Sequence, residues 1–183
     1  GPSDGAPEVR LAVGLLHYPI LDRQRKVVAT NVTNLDVHDI ARASRVYGVE
    51  RYYVIHPSHE QLMFVSRMLE HWRIGDGAKF NPMRRTALTM VHTATSLEAA
   101  LADWGGRPKV IATHAKDFSG GRRVSFRELR AAMDSDADGR YLLLFGTGFG
   151  MAEETLLSCD FPLEPIRGAP PADYRHLSVR SAA

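Results

Sequence analysis

Tyr141-Leu142-Leu143-Leu144-Phe145-Gly146-Thr147-Gly148-Phe149-Gly150-Met151 is an apolar strand that runs straight into a glycine loop. Glycine tolerates positive φ and has no Cβ, so backbone N–H groups in such a loop can approach a ligand closely. Further along comes a second backbone-rich stretch, His176-Leu177-Ser178-Val179-Arg180-Ser181-Ala182. Together the two stretches point to a nucleotide-like cofactor held between chain turns.

Upstream of this strand the pattern alternates. Strand-length apolar runs lie at Val9 to Leu16, Tyr52 to Ile55 and Lys109 to Thr113, with shorter ones at Val27 to Ala29 and Val91 to Thr93. Between them, Leu35, Val37, Ile40, Ala41, Ala43 and Val46 form a helical stripe that ends before Gly48. A second stripe, Leu62, Val65, Met68, Leu69 and Trp72, follows Pro57 and ends at Gly75. A short helix is expected over Arg84 to Met90. Thr95-Ser96-Leu97-Glu98 and Ser125-Phe126-Arg127-Glu128 read as capping boxes that open helices to Trp104 and Met133. A last helix is expected from about Ala152 to Ser158, then an extended stretch over Leu163 to Ile166. Strands alternating with helices predict an α/β domain with a mostly parallel sheet.

The 183 residues suffice for one well-packed domain and are short for two. Residues 1–8 read as a flexible leader or tag scar, and 9–183 as a single domain. No apolar run approaches the roughly 18 residues that cross a bilayer, so a helical membrane span is not expected. The single cysteine, Cys159, excludes an intramolecular disulfide and a cysteine-only metal cage, which fits a cytoplasmic protein. A net charge of +2 and a pI near 8.8 make the chain only mildly basic. Arg23-Gln24-Arg25-Lys26, Arg84-Arg85 and Arg122-Arg123 are either phosphate contacts or solvated surface.

Asp134-Ser135-Asp136-Ala137-Asp138-Gly139 opens like a calcium loop, but position twelve is Phe145 and a strand follows, so it reads as an acidic turn. Gly146-x-Gly148-x-Gly150 departs from the dinucleotide fingerprint in its third spacing, and the chain after it is too short for a second half-sheet. A turn without a ligand is the plainer alternative. The eight histidines include no His-Glu-x-x-His spacing, so no metal site is expected.

In order along the chain, three segments resemble the motifs of the SPOUT superfamily, the trefoil-knot RNA methyltransferases. Asp36-Val37-His38-Asp39-Ile40-Ala41-Arg42, with Gly48 six residues beyond, is similar to the first motif, Asn-x-Gly-x-x-x-Arg. Leu143 to Met151 resembles the second, and Leu177-Ser178-Val179-Arg180-Ser181-Ala182 resembles the third, Leu-Asn-Val-Ser-x-Ala. Asn34 to Arg42 and His176 to Ala182 also resemble a poorly characterised bacterial branch of these enzymes. Asp36 and His38 stand where the first motif has asparagine and glycine. The second motif lacks its glutamate, and Ser178 and Arg180 replace asparagine and serine in the third. The family pattern continues into a C-terminal helix for which no sequence follows Ala183.

The resemblance implies an α/β knot, a homodimer and S-adenosylmethionine gripped by main-chain groups of three loops. Those loops are at Thr113-His114, at Gly146-Thr147-Gly148, and at Ile166-Arg167-Gly168 with Leu177-Ser178-Val179. It implies a substrate RNA, tRNA or rRNA, methylated on a base nitrogen or a ribose 2′-OH. Arg42 corresponds to the motif arginine and is expected to hold a phosphate or the acceptor's developing charge. Asp36, His38 and Asp39 are alternatives for taking the acceptor's proton, and Arg180 is expected to add an RNA contact. The competing expectation is a knot domain that binds S-adenosylmethionine or RNA without catalysis, within a larger RNA-modifying protein.

Overall fold

The computed structural model describes residues 9–31, 49–74, 90–113, 123–136, 139–146 and 151–163. In chain order these form β1 (Arg10–Leu16), β2 (Ile20–Leu21), β3 (Val27–Val28), β4 (Arg51–Ile55), α1 (His59–Ile74), β5 (Val91–Ala94) and α2 (Leu97–Trp104). There follow β6 (Lys109–Thr113), α3 (Phe126–Asp134), β7 (Arg140–Gly146), α4 (Glu153–Ser158) and β8 (Phe161–Leu163). The expected helix over Leu35 to Tyr47, and that over Arg84 to Met90 as far as residue 89, lie outside the described residues.

Six strands form one sheet in the order β5-β4-β1-β7-β6-β8, every neighbouring pair parallel. A parallel sheet is covered on both faces, which is why its central strands are continuously apolar. Successive side chains of β1 go to opposite layers. Leu11, Val13 and Leu15 pack with Val65, Met68 and Leu69 of α1 and Leu129 and Met133 of α3. Ala12 and Leu16 pack with Ala100 and Trp104 of α2 and Leu156 of α4. Gly14 lies where side chains of both flanking strands close over β1. A Cβ there would stand 3.1 Å from Leu142 Cδ2 and 3.3 Å from Ile55 Cδ1.

Three sequence expectations need correction. The cap of α2 is Ser96, whose hydroxyl accepts the Ala99 N–H at 3.1 Å, so Thr95 lies outside the helix. The Ser125 cap of α3 is as expected, with Ser125 Oγ accepting Glu128 N–H. Helix α1 begins at His59 and not at Pro57, because the Ser58 N–H is held by His56 Nδ1 at 2.9 Å and the Ser58 carbonyl accepts from Leu62. The final strand starts two residues before Leu163. Pro162 lacks an N–H, but β8 is an edge strand where proline is tolerated. The hairpin β2–β3, antiparallel through Ile20↔Val28 and Leu21↔Val27, includes a two-residue strand too short to show a sequence pattern.

The acidic turn is a packing device. Asp136 accepts the Tyr141 hydroxyl at 2.8 Å and faces Lys109 at 3.9 Å, and its carbonyl accepts the Gly139 N–H. A Cβ at position 139 would run into the Asp136 carboxylate, which accounts for the glycine.

Candidate active site

From β1 the chain proceeds outward through β4 to β5, whereas β7 and β6 lie on the other side of β1. The order therefore reverses between β1 and β7. Ligands of open α/β sheets bind at such a switch point, outside the carboxyl ends of the strands. Leu16 and Gly146 are partners in register there, each the last residue of its strand.

Two of the expected cofactor residues fall in the described chain, and both are at this edge. Gly146 ends β7, and Thr113 ends the neighbouring β6, in register with Leu163 of β8. Without a side chain, Gly146 leaves the backbone open to close approach, which suits a cofactor gripped by main-chain groups. Asp36, His38, Asp39, Arg42, His114, Thr147, Gly148, Ile166, Gly168, Leu177, Ser178, Val179 and Arg180 lie outside the described residues.

The chain on either side of the switch point is cross-tied. Ile20 of β2 forms an antiparallel bridge with Met151, just after the glycine loop, and Ala152 N–H donates to the Pro19 carbonyl at 3.4 Å. A cleft of about 400 Å³ opens beside this tie. Leu16, Tyr18, Pro19 and Pro57 give it flat apolar surface, while Glu98 and Glu154 give it acceptor groups.

Two buried histidines, to which no motif assigns a role, end adjacent strands at the same edge. His17 follows β1 and is 0% exposed; His56 follows β4 and is 4% exposed. Their rings lie 5.7 Å apart, centroid to centroid. Both reach Thr30: His17 Nδ1 is 3.1 Å from its hydroxyl, and His56 Nε2 is 2.9 Å from its carbonyl. The His56 tautomer follows from its partners. Ser58 N–H donates to Nδ1, so the ring proton is on Nε2 and is donated to the Thr30 carbonyl. The detectable signal was positional, a histidine just past each of two strands that turn out to be neighbours.

Burial lowers the His56 pKa below that of an ordinary histidine, against a smaller opposing effect of the Thr30 carbonyl. The unfolded chain then takes up this proton before the folded protein does. Stability contributed by the neutral ring is full above about pH 6.5 and is lost as pH falls from there toward the folded pKa. The loss is at most about 1.4 kcal/mol per pH unit. Denaturant unfolding of wild type and His56→Gln at several pH values between 7.5 and 5 tests this. The difference between the two proteins should shrink or reverse as pH falls, and a difference constant with pH would refute it. Cys159 is no nucleophile at neutral pH: burial first, then Asp160, pushes its thiol up to about 12.

A parallel sheet whose strand order reverses beside a strand ending in Gly146 is an α/β arrangement open to a ligand at that edge. The fold agrees with that of a probable methylase family protein from Haemophilus influenzae, at a TM-score of 0.58 and 16% identity over 93% of this chain and 63% of that one. Residues 10–183 match the family described as SAM-dependent RNA methyltransferase, and the chain belongs to that family. A tRNA (guanine-N(1)-)-methyltransferase of Oleidesulfovibrio alaskensis is 40% identical over 181 residues, covering 97% of this chain and 41% of the relative. An uncharacterized protein of Aquifex aeolicus is 35% identical over 93% of this chain and 82% of its own length. The chain thus spans about two-fifths of the curated tRNA methyltransferase it matches.

Proposed function

We propose that this chain is a methyl-transfer domain that modifies tRNA, as a knotted homodimer in the cytoplasm. The observation that carries the reading is the meeting of β1 and β7 at the switch point. The hairpin that leads from β1 toward the first motif is bridged to Met151, just beyond Gly150, while β1 and β7 end in register at Leu16 and Gly146. Support for tRNA comes from the Oleidesulfovibrio relative, although more than half of that protein lies outside the match. Its guanine N1 specificity is therefore not carried over, and the acceptor is a base nitrogen or a ribose 2′-OH.

S-adenosylmethionine, when bound, supplies a methyl group already activated on a sulfonium. The work left to the protein is to place the acceptor in line and help it lose a proton. Main-chain groups at Thr113-His114, Gly146-Thr147-Gly148, Ile166-Gly168 and Leu177-Ser178-Val179 would hold the cofactor. Arg42 would fix a phosphate or stabilise charge developing on the acceptor, with Arg180 as a second RNA contact. Asp36, His38 or Asp39 would take the proton, His38 having the most suitable ordinary pKa. Single-stranded or splayed nucleotides are the accessible targets.

Calorimetric titration with S-adenosylhomocysteine, with NAD as control, followed by labelled methyl transfer to bulk tRNA, tests the reading. Saturable binding of one S-adenosylhomocysteine per protomer, no NAD binding and label in tRNA are expected. Binding without transfer would favour a non-catalytic cofactor-binding domain, the reading to which the departures at Asp36, His38, Gly148 and Ser178 lend weight. No binding by the folded protein would overturn both.

A further inference from the structure

We propose that His17, Thr30 and His56 form a latch that fixes the point from which the chain departs toward the first motif, His56 being a positioning residue for methyl transfer. The inference rests on the function proposed above. Its basis is where the excursion between β1 and the first motif begins and ends. The chain leaves the sheet at His17, makes the β2–β3 hairpin, and returns at Thr30, whose N–H donates to the His17 carbonyl at 2.9 Å. The His17 ring is 3.1 Å from the Thr30 hydroxyl, closing the base of the excursion a second time. His56 then joins this closed loop to β4 by donating from Nε2 to the Thr30 carbonyl.

Each end of the latch is itself fixed. The His17 N–H donates to the Ile55 carbonyl and the His56 N–H to the Ala94 carbonyl, both at 3.0 Å, so the two rings extend the sheet's own ladder. His56 Nδ1 accepts the Ser58 N–H at the start of α1. Meanwhile the hairpin is bridged to Met151, one residue beyond the glycine loop. The point from which residues 31 onward depart is therefore set relative to β1, β4 and the end of the cofactor loop together. Asp36, His38, Asp39 and Arg42 begin only six residues beyond Thr30. Misplacing an acceptor-side group by about 1 Å is enough to cost roughly 100-fold in rate. Cofactor affinity, which depends on other loops, would be spared.

Two amide substitutions separate positioning from mere packing. In His56→Gln the side-chain amide reaches the Nε2 position and can still donate to Thr30. In His56→Asn the shorter side chain can accept from Ser58 N–H but cannot reach Thr30. We expect His56→Gln to transfer methyl groups within about 3-fold of wild type, and His56→Asn to lose about 10- to 100-fold in kcat. Affinity for S-adenosylhomocysteine should stay within about 2-fold in both. Amide exchange in the peptide carrying Thr30 should quicken in His56→Asn and not in His56→Gln. Equal behaviour of the two variants in transfer and in exchange would overturn the latch. Thr30→Val, which removes only the hydroxyl that faces His17, supplies the same comparison if His56→Asn does not fold. Wild-type transfer and exchange from that variant would likewise overturn the proposal. Should the wild type transfer no methyl group to RNA, the proposed activity fails, and the exchange comparison still decides the latch.

Discussion

Arg42→Ala is expected to reduce methyl transfer to tRNA by about 100- to 1,000-fold while the protein still binds S-adenosylhomocysteine. The expectation follows from the chemistry left to the protein once the cofactor carries the electrophile. A guanidinium is always charged and presents planar paired donors, so it can clamp a phosphate or an acceptor oxygen in a fixed orientation. Alanine removes both the charge and the orientation, and neither is needed to bind a cofactor gripped by main-chain groups. Lysine keeps the charge but not the fork, so Arg42→Lys should recover only a small part of the rate. Single-turnover transfer with saturating cofactor, together with calorimetry on the same preparations, measures the two effects separately. An alanine variant as active as wild type would remove Arg42 from the site. One that loses cofactor binding and transfer in parallel would place it among the cofactor contacts instead.

How much of this was legible in the sequence depended on the range of the interactions involved. The strands of the sheet announced themselves because both their faces are buried. Leu142, Leu143 and Leu144 point alternately into two different apolar layers, so no polar residue interrupts the run. Helices α2 and α3 were legible because their caps are local, although Ser96 and not Thr95 is the residue that bonds. Ile20 and Leu21 were passed over because two residues carry no periodicity; their strand exists through pairing with Val27 and Val28 across a turn. The His17–Thr30–His56 contacts join residues far apart in sequence through a sheet order that the sequence does not state. The cofactor loops are expected from resemblance alone, and of their residues only Thr113 and Gly146 lie in the described chain. The order of the strands, with its reversal between β1 and β7, brings Thr113 and Gly146, at the ends of two neighbouring strands, to one edge of the sheet.

Trp104→Ala should be among the most destabilising substitutions in the molecule, at about 3–5 kcal/mol. Trp104 ends α2 and is 1% exposed, among the largest side chains buried in the layer between α2 and the sheet. Its indole N–H donates to the Tyr141 carbonyl at 3.1 Å. Around the ring stand three guanidiniums, those of Arg10, Arg51 and Arg140, at 5.3, 5.7 and 5.1 Å from the centroid. They come from the first residues of β1, β4 and β7, three adjacent strands. The ring face attracts these three like charges, and carboxylates offset two of them. Arg10 is paired through two hydrogen bonds with Glu50, and Arg51 with Asp103, which also accepts the Tyr53 hydroxyl at 2.7 Å. Glu50 is held below the usual carboxylate range, first by the Arg10 hydrogen bond. Alanine leaves a cavity, removes the indole N–H from the Tyr141 carbonyl and removes the surface on which the guanidiniums sit. Trp104→Phe keeps an aromatic face and loses the indole N–H, so it should cost less, about 1–3 kcal/mol. Denaturant unfolding of the three proteins gives the order directly, and an alanine variant with the wild-type midpoint would refute the account. Trp104 lies at the amino ends of the strands, whereas the switch point lies at their carboxyl ends. At temperatures where the alanine variant remains folded, its affinity for S-adenosylhomocysteine should therefore match wild type. That result would show one edge of the sheet maintaining the fold while the other holds the cofactor.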